Sequence, residues 1–539
     1  MPYPRKIKSF INKESARAWA AHGLALAGCG ILAAAVFSLS ALGNPPHSWV
    51  DPVNYLATAK QMVLHDSFLP RPPDYSMLAL AAAHDAPVSL AGYPNIGYEL
   101  LLGFWCLITG RFSLMNGIYI SGLFTVLSAL AVYGLSHYIL RDKVSAVLVT
   151  AGLLLHREID KISSQPMTDT GLLFFFILSV WGMIGGRILL SGLALALGYF
   201  YREHALIFWP LLPLLSPQCV SVRSYLRITL VTGLVLICGL SAAFLAKYHF
   251  MHGQMGSDSY SGYDFYLKPF LNMLGDNFFN GGLHTLYLFL KNCMFFIARI
   301  GVGFPLAGLF LYFAGARGDK LTMRLLAVSL GVSGAPLVLY ITDYITVVPS
   351  RYYIYAIPLL LLVMVLLLRR RYPRPHPRLA VAVLVAFLVL CRPLGLTKEG
   401  LEALTQPAGA FARLQSLVDA PFTTLSAILP KRGAVVLSNY GSYYFDSFVY
   451  VAVEDPVIVR LPDFEAFRRG SDNALLDGIV LSQLDGLVSS QAGEAWNSSP
   501  VITDLAGVSF ERTDWRTPFR DTPTPQHYVL TRVRPRPVE

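Results

Sequence analysis

The chain has 539 residues, 54% of them hydrophobic and 14% charged, with a formal net charge of +10 and a mean hydropathy of +0.51. Soluble domains carry about a quarter charged residues, so the composition excludes an ordinary soluble protein and indicates a polytopic membrane protein. The positive balance does not indicate a nucleic-acid partner, because the basic residues cluster between apolar runs, as the positive-inside rule requires.

The amino-terminal basic residues (Arg5, Lys6, Lys8, Lys13, Arg17) precede an apolar run of about 20 residues. That run is too long for a signal-peptide core and suits a retained first span at 21–43. A long polar stretch, 44–112, follows. Spans at 113–140 and 144–156 are separated by Arg141-Asp-Lys143, and after a short loop at 156–168 come spans at 169–186 and 188–201 with Arg187 between them. The next two, 204–216 and 226–248, are joined through Arg223 and Arg227. A polar loop at 249–285 leads to a span at 286–315, closed by Arg317 and Lys320. The last three are 322–341, 352–368 and 379–394, the final pair separated by the basic run Arg369–Arg378.

This gives about eleven spans. With the amino terminus cytoplasmic, the dense basic clusters all fall inside. The loops 44–112 and 249–285, the surroundings of Asp169 and Arg351 and the C-terminal region then fall outside. Within the first outer loop, 53–64 and 95–110 read as helices lying in the membrane interface, a depth that suits Tyr98 and Trp105. Five of the six cysteines lie in or beside apolar segments and none has metal-ligand spacing, so neither a disulfide framework nor a zinc site is implied.

From residue 395 the composition turns soluble. Ala434–Ser438, Ser447–Val453, Pro456–Arg460, Gly478–Leu481 and His527–Thr531 are short β-type runs bounded by turn residues. The expected architecture is therefore an α-helical membrane domain over 1–394 and a small outer α/β domain over 395–539.

Asp51, in Ser48-Trp-Val-Asp51-Pro-Val-Asn54-Tyr55, stands just past the first span. An acid there is costly unless something polar faces it; capping a helix that starts at Pro52 is the plainer role. Asp169, in Ser164-Gln-Pro-Met-Thr-Asp169-Thr-Gly, opens a span at the same face, where it too suits a helix start. Two carboxylates at one face either hold a divalent cation (Mg or Mn) or divide the work, one as base and one positioning the nucleophile. Glu158 and Asp160 lie nearby, in a stretch that Arg157 and Lys161 make read as a solvated loop.

Arg202-Glu203-His204 interrupts two apolar runs at an outer end. Arg202 there either clamps a phosphate bidentately or pairs with Glu203. Arg351-Tyr352-Tyr353-Ile-Tyr355 opens another span; its tyrosines suit an interfacial aromatic belt, and Arg351 suits an anionic lipid headgroup. The loop 249–285, with Tyr263 among several aromatic and polar residues, either covers a carbohydrate or is an ordinary surface loop.

Taken in order, these positions resemble the membrane-embedded GT-C glycosyltransferases that use polyprenyl-phosphate sugars, above all the branch of aminoarabinose transferases and protein O-mannosyltransferases. The resemblance runs over residues 20–370 and rests on Asp51-Pro-Val-Asn-Tyr55, Ala59-Lys60, Ser67-Phe-Leu-Pro70, Tyr93-Pro94-Asn95-Ile-Gly-Tyr98, Thr168-Asp169, Tyr201-Arg202 and Arg351-Tyr352 with Pro358. The family often has Asp-Glu where this chain has Asp51-Pro52, and a lysine where this chain has Tyr93, so Lys60 or Arg202 would take over that lysine's contact.

The resemblance implies a lipid-linked donor entering sideways from the bilayer, at the outer face of a bacterial inner membrane. The sugar would pass, with inversion, to an acceptor hydroxyl or phosphate of a glycan, lipid or protein; Asp51 would deprotonate or orient an acceptor hydroxyl, with Asp169 as the second acid. Arg351, Arg202 and Lys60 would meet the donor phosphate, and Tyr55, Tyr93, Tyr98, Glu203, His204, Tyr352 and Tyr263 would contact substrate. An oligosaccharide ligase or polymerase would use the same donor class. A transporter would favour inverted repeats and midplane charges, and neither is found here.

Overall fold

The computed structural model describes residues 13–43, 50–66, 96–202, 204–250, 282–300, 320–339, 350–371, 406–429, 431, 435–439, 443–454, 457–461, 478–482, 501–505, 508–515 and 527–532. The predicted span at 379–394 and most of the loop 249–285 lie outside these residues.

The first span is helix α1 (Lys13–Gly43). Helices occupy both stretches predicted within the first outer loop, as α2 (Val50–His65) and α3 (Gly97–Thr109). α2 is buried on every face from Pro52 to Met62, so it is a core helix and not the interfacial one expected. α3 ends because Gly110 takes the left-handed conformation at φ 66°, which glycine adopts without a Cβ penalty. One face of α3 buries Tyr98, Leu102 and Cys106, while Phe104, Leu107 and Ile108 stay exposed on the other, as an interfacial helix requires.

α4 (Leu114–Leu140) starts where Ser113 accepts from the Met115 amide, 3.1 Å. Its 27 residues reach about 40 Å at 1.5 Å per residue. α5 (Lys143–Leu154) returns, started by Asp142, whose carboxylate takes the Ser145 amide at 2.8 Å. Burial works against that charge, but the Ser145 hydrogen bonds and then Arg369 hold Asp142 below the usual carboxylate range. Arg369 lies in the last turn of α13 (Ile357–Arg371), so Arg141, Lys143 and Arg369 gather at one end of the bundle.

The stretch predicted as a solvated loop at 156–168 instead contains a helix, α6 (Arg157–Ser163), with Glu158 and Asp160 buried. The correction has a local cause: His156 Nδ1 receives the Glu158 amide and starts the turn. The Asp160 carbonyl then accepts the Ser40 hydroxyl of α1 at 2.6 Å, which draws the turn inward.

α7 (Asp169–Ile184) and α8 (Ile188–Tyr201) form a hairpin over the main core. Ser179 and Ser191 each donate to the other's carbonyl at 2.8 Å, the polar contact between small residues that membrane helices use to approach closely. The predicted span 204–216 is not one helix: α9 (Ala205–Phe208) is followed by a 3₁₀ turn, Leu212–Leu215. Pro210 and Pro213 remove amides that a continuous helix would need. α10 (Val222–Phe250) repairs the break, taking the Trp209 indole N–H on the Thr229 carbonyl and giving the Tyr225 hydroxyl to the Pro210 carbonyl.

α11 (Gly282–Ile300) and α12 (Lys320–Leu339) follow, and two short 3₁₀ turns, Ser350–Tyr352 and Ile354–Ala356, lead into α13. Among the described residues three stretches are long and apolar enough to cross a membrane, Ala20–Gly43, Leu114–Leu140 and Val222–Ala246, and the other apolar helices are shorter.

The C-terminal part begins with α14 (Pro407–Ile428). The run Ser447–Val453, predicted as a strand, lies largely in a helix, α15 (Tyr443–Ala452). Its apolar residues are clustered rather than alternating, and Phe448, Val449, Tyr450 and Val451 are buried with α2 and α14. The strands β1 (Val435–Asn439), β2 (Val457–Leu461), β3 (Gly478–Ser482), β4 (Val501–Leu505), β5 (Val508–Trp515) and β6 (His527–Arg532) form one mixed sheet in the order β2-β1-β3-β6-β5-β4. β1 runs parallel to β2 and β3, and the remaining pairs are antiparallel.

Close helix contact in the bundle depends on glycine at α10, where a Cβ on Gly239 would lie 2.6 Å from the Ala196 Cβ of α8. Gly239→Leu should cost about 1–3 kcal/mol by forcing the two helices apart, read by denaturant or thermal unfolding of the detergent-solubilised protein. Gly409→Ala in α14, where nothing lies within 4 Å, should leave stability unchanged or raise it by about 0.5–1 kcal/mol.

Candidate functional site

Four segments far apart in the chain meet where α2, α7 and α13 begin and α8 ends. The first turn of α2 carries Asp51, and its Oδ2 accepts from Arg351 Nη1 at 3.0 Å. Asp169, the first residue of α7, forms an ion pair with Arg202, the residue that follows α8. Tyr352 joins the two pairs: its ring centroid lies 4.8 Å from the Arg202 guanidinium carbon and 5.5 Å from that of Arg351. A planar cation over an aromatic face is attracted by the ring quadrupole. One tyrosine therefore holds both cations beside both acids.

Each side chain is set by its neighbours. Arg202 Nε donates to His204 Nδ1 at 3.1 Å, so that nitrogen accepts and the imidazole proton sits on Nε2. The His204 ring lies 4.7 Å from that of Tyr352. His204 thus aims the guanidinium. Arg351 Nη1 also reaches Met167 Sδ at 3.3 Å, which ties the turn before α7 to the turn before α13. Burial and Arg202 push the Arg351 pKa down, but Asp169, Tyr352 and Asp51 outweigh them and raise it, so the group stays a cation.

The two pairs differ in exposure. In the Asp169–Arg202 pair the side chains are 1% and 8% exposed; in the Asp51–Arg351 pair they are 17% and 27% exposed. The site has a closed end and a more open one.

Of the residues named from the sequence, Asp51, Asp169, Arg202, Arg351, His204 and Tyr352 are brought together. Tyr55 is beside them: burial first, then the charges of Asp51 and Glu99, hold its hydroxyl well above the ordinary range, against Arg202 and Arg351. Tyr98 packs edge-on to Tyr55 with centroids 5.2 Å apart and gives its hydroxyl to the Gly117 carbonyl at 3.4 Å. Lys60 is buried, and its Nζ donates to the carbonyls of Val451 and Val453 at 2.9 Å each, closing the C-terminal end of α15. Tyr93, Glu203 and Tyr263 lie outside the described residues.

The structure adds residues that motif reading passed over. Tyr355 donates to Asp169 Oδ1 at 3.3 Å and is fully buried, as is Tyr353, so these tyrosines line the core instead of forming the expected interfacial belt. Glu99, buried on α3, is a third acid near Tyr55. A charge at one position of an otherwise apolar helix, Gly97–Thr109, is the signal that would have found it. A divalent cation does not fit this set, because each of the two acids already faces a guanidinium. Among the described residues, no group of three or more His, Cys, Asp or Glu side chains gathers to hold a metal.

By sequence, no family profile and no curated protein matches the chain. By structure it is similar to ArnT from Cupriavidus metallidurans bound to undecaprenyl phosphate, with a TM-score of 0.50 and 12% identity over 95% of this chain and 98% of that one. The apo state of ArnT from the same organism gives a TM-score of 0.48 at 11% identity, over 96% and 98%. An oligosaccharyltransferase from Archaeoglobus fulgidus, in complex with Zn and sulfate, gives 0.45 at 13% identity, over 85% and 67%. At such identities structural likeness speaks for fold, and the first of these matches covers nearly the whole of both chains. The chain has the GT-C fold, shared with ArnT.

Proposed function

We propose that the protein is an inverting glycosyltransferase that moves a sugar from a polyprenyl-phosphate donor to an acceptor hydroxyl at the outer face of a bacterial inner membrane. Residues 1–394 form the membrane domain that does the chemistry, and 395–539 form an outer α/β domain. The observation that carries this reading is the meeting of Asp51, Asp169, Arg202 and Arg351, alternating in charge around Tyr352. The undecaprenyl phosphate bound to ArnT, which shares the fold, supports the donor class.

The leaving group of such a reaction is a phosphate whose negative charge grows as the glycosidic C–O bond breaks. Preorganised cations aimed at that growing charge lower the barrier most where water is scarce. Arg351 and Arg202 supply them. Asp51, at the open end, takes the proton of the acceptor hydroxyl as its oxygen attacks the anomeric carbon from the face opposite the phosphate. The bond to the phosphate oxygen breaks with its electron pair, and the configuration inverts. Asp169, held in the closed end by Arg202 and Tyr355, keeps Arg202 in place.

Exposure separates the two acids experimentally. Asp51→Asn should lower release of undecaprenyl phosphate from its glycosylated form by about 10²–10⁴-fold, the usual worth of a general base. Its unfolding transition should fall less than that of an Asp169 variant, since the Asp51–Arg351 pair is the less enclosed of the two. Activity undiminished in Asp51→Asn would remove the base from the scheme. Asp169→Asn breaks a buried pair and should cost about 3–5 kcal/mol, lowering the melting temperature along with the activity. Adding Arg202→Met to that variant should restore part of the stability and none of the activity.

The turn that carries Asp169 is pressed against α4, where a Cβ on Gly117 would stand 2.6 Å from the Pro166 Cβ and 2.8 Å from the Tyr98 hydroxyl. Gly117→Ala should displace that turn and reduce transfer by up to about 10²-fold while the protein still folds, as measured by activity at matched amounts of monodisperse protein.

A further inference from the structure

The turn between α6 and α7 holds more unpartnered polar chemistry than the ion pairs use. Gln165 is 3% exposed, Thr170 3% and Asp169 0%. Among the described residues, Gln165 Oε1 and Nε2, Thr170 Oγ1 and Asp169 Oδ2 are all buried without a hydrogen-bond partner. The backbone of the turn is well tied, with the Gln165 carbonyl taking the Ser121 hydroxyl at 2.6 Å, so the orphan atoms belong to side chains alone. Each buried polar atom left unpaired costs about 1–3 kcal/mol. Methionine and valine would fill much the same space as Gln165 and Thr170 without that cost. On α4, by contrast, the Ser128 hydroxyl stands singly and the Ser136 hydroxyl has only His137 Nδ1 beside it. Here four such atoms fall within six residues.

We propose that Gln165 and Thr170, with the free oxygen of Asp169, form the subsite that holds the hydroxyl groups of the donor sugar. This rests on the transferase reading above and names where that enzyme reads its sugar. The chemistry selects the ligand class. A carboxamide offers two donors and an acceptor, a hydroxyl offers one donor and two acceptors, and a carboxylate oxygen accepts. That set matches hydroxyls, which both give and take a proton, and it contains no cation to attract an anion.

The position agrees with the chemistry. Met167 of the same turn touches Arg351, and Asp169 touches Arg202, the two groups assigned to the phosphate. A sugar joined to that phosphate by one bond places its hydroxyls within a few ångströms of them. Exposure divides donor from acceptor. The turn belongs to the closed end with Asp169, while an acceptor arriving from water meets the open end at Asp51. A site that binds a sugar through otherwise unpaired polar groups rejects analogues strongly, because the wrong ligand leaves those groups unpaired.

The test uses the full chain in nanodiscs, as wild type, Gln165→Met and Thr170→Val. Binding is measured for undecaprenyl phosphate alone and for undecaprenyl-phosphate-linked glucose, mannose and 4-amino-4-deoxyarabinose. The wild type should bind at least one sugar-bearing lipid tenfold or more tightly than the bare lipid. Each variant should lose at least fivefold of that gain, keep its affinity for bare undecaprenyl phosphate within twofold, and unfold at the same temperature as the wild type or higher when unliganded. Variants that keep the sugar's contribution overturn the subsite and leave the transferase reading intact, as does a wild type that binds every sugar-bearing lipid no better than the bare one. A fall of several degrees in the unliganded variants, with bare-lipid affinity lost, shows that these side chains serve the fold and overturns the subsite as well. A wild type that binds none of the four lipids overturns the donor reading together with the subsite.

Discussion

The ion pair between Arg202 and Asp169 sits where water is scarce, with both side chains almost wholly enclosed. A guanidinium cannot lose its proton to escape such a place, so it must be given an anion and further acceptors. Asp169 provides the first and His204 Nδ1 the second, while the Tyr352 ring covers one face. Meeting that demand fixes the geometry of three elements at once. α8 must end beside the start of α7, the chain must turn at His204, and the turn before α13 must bring Tyr352 over the cation. The second pair, Asp51 with Arg351, is built onto this frame through the same ring.

The broken helix after α8 belongs to the same logic. A continuous span from 204 would direct the backbone straight away from the site. Proline at 210 and 213 instead shortens the first piece to Ala205–Phe208 and leaves a 3₁₀ turn. The freed carbonyl at Pro210 and the Trp209 indole are satisfied by α10. Irregular backbone at membrane depth is tolerable where neighbouring helices complete its hydrogen bonds. Phe208, on the short helix, packs against Phe176 and Tyr355 with centroids 4.5 and 5.0 Å away, behind the hydroxyl that reaches Asp169.

Much of this is legible in the chain itself, and the parts that are not share a cause. Charges are rare in an apolar sequence, so each must be explained. Asp51, Asp169, Arg202 and Arg351 stand out for that reason, and the alternation of basic clusters puts all four on one face. The two helices of the first outer loop are legible in the same way, from a loop too long to be a connector, although the burial of α2 on every face is not. What periodicity cannot show is how short apolar pieces are used. Residues 204–216 read as a span because their prolines are only two residues among apolar neighbours. Residues 447–453 read as a strand because valine and aromatics favour sheets, yet burial against α2 and α14 makes them a helix. Glu158 and Asp160 look solvated beside Arg157 and Lys161, although the fold buries both acids. Each miss is a tertiary contact overriding a local preference.

The exposure gradient across the site then has a physical consequence for how work is divided between its two acids. A carboxylate enclosed with a guanidinium at ion-pair distance is held charged and immobile, and removing either partner strands the other in a medium that penalises it heavily. Such a group suits holding. A carboxylate whose pair is partly in water, as that of Asp51 is, loses less by letting go of its arginine than the enclosed Asp169 would. In the proposed transfer it is therefore the acid that would exchange its partner for an incoming hydroxyl and accept the proton, while Arg351 would turn to the phosphate. Two residues of the same type thus differ in role through burial alone. The asymmetry comes from placing Asp51 on the first turn of α2, where its side chain stays partly exposed, and Asp169 at the start of α7, a helix of the main core.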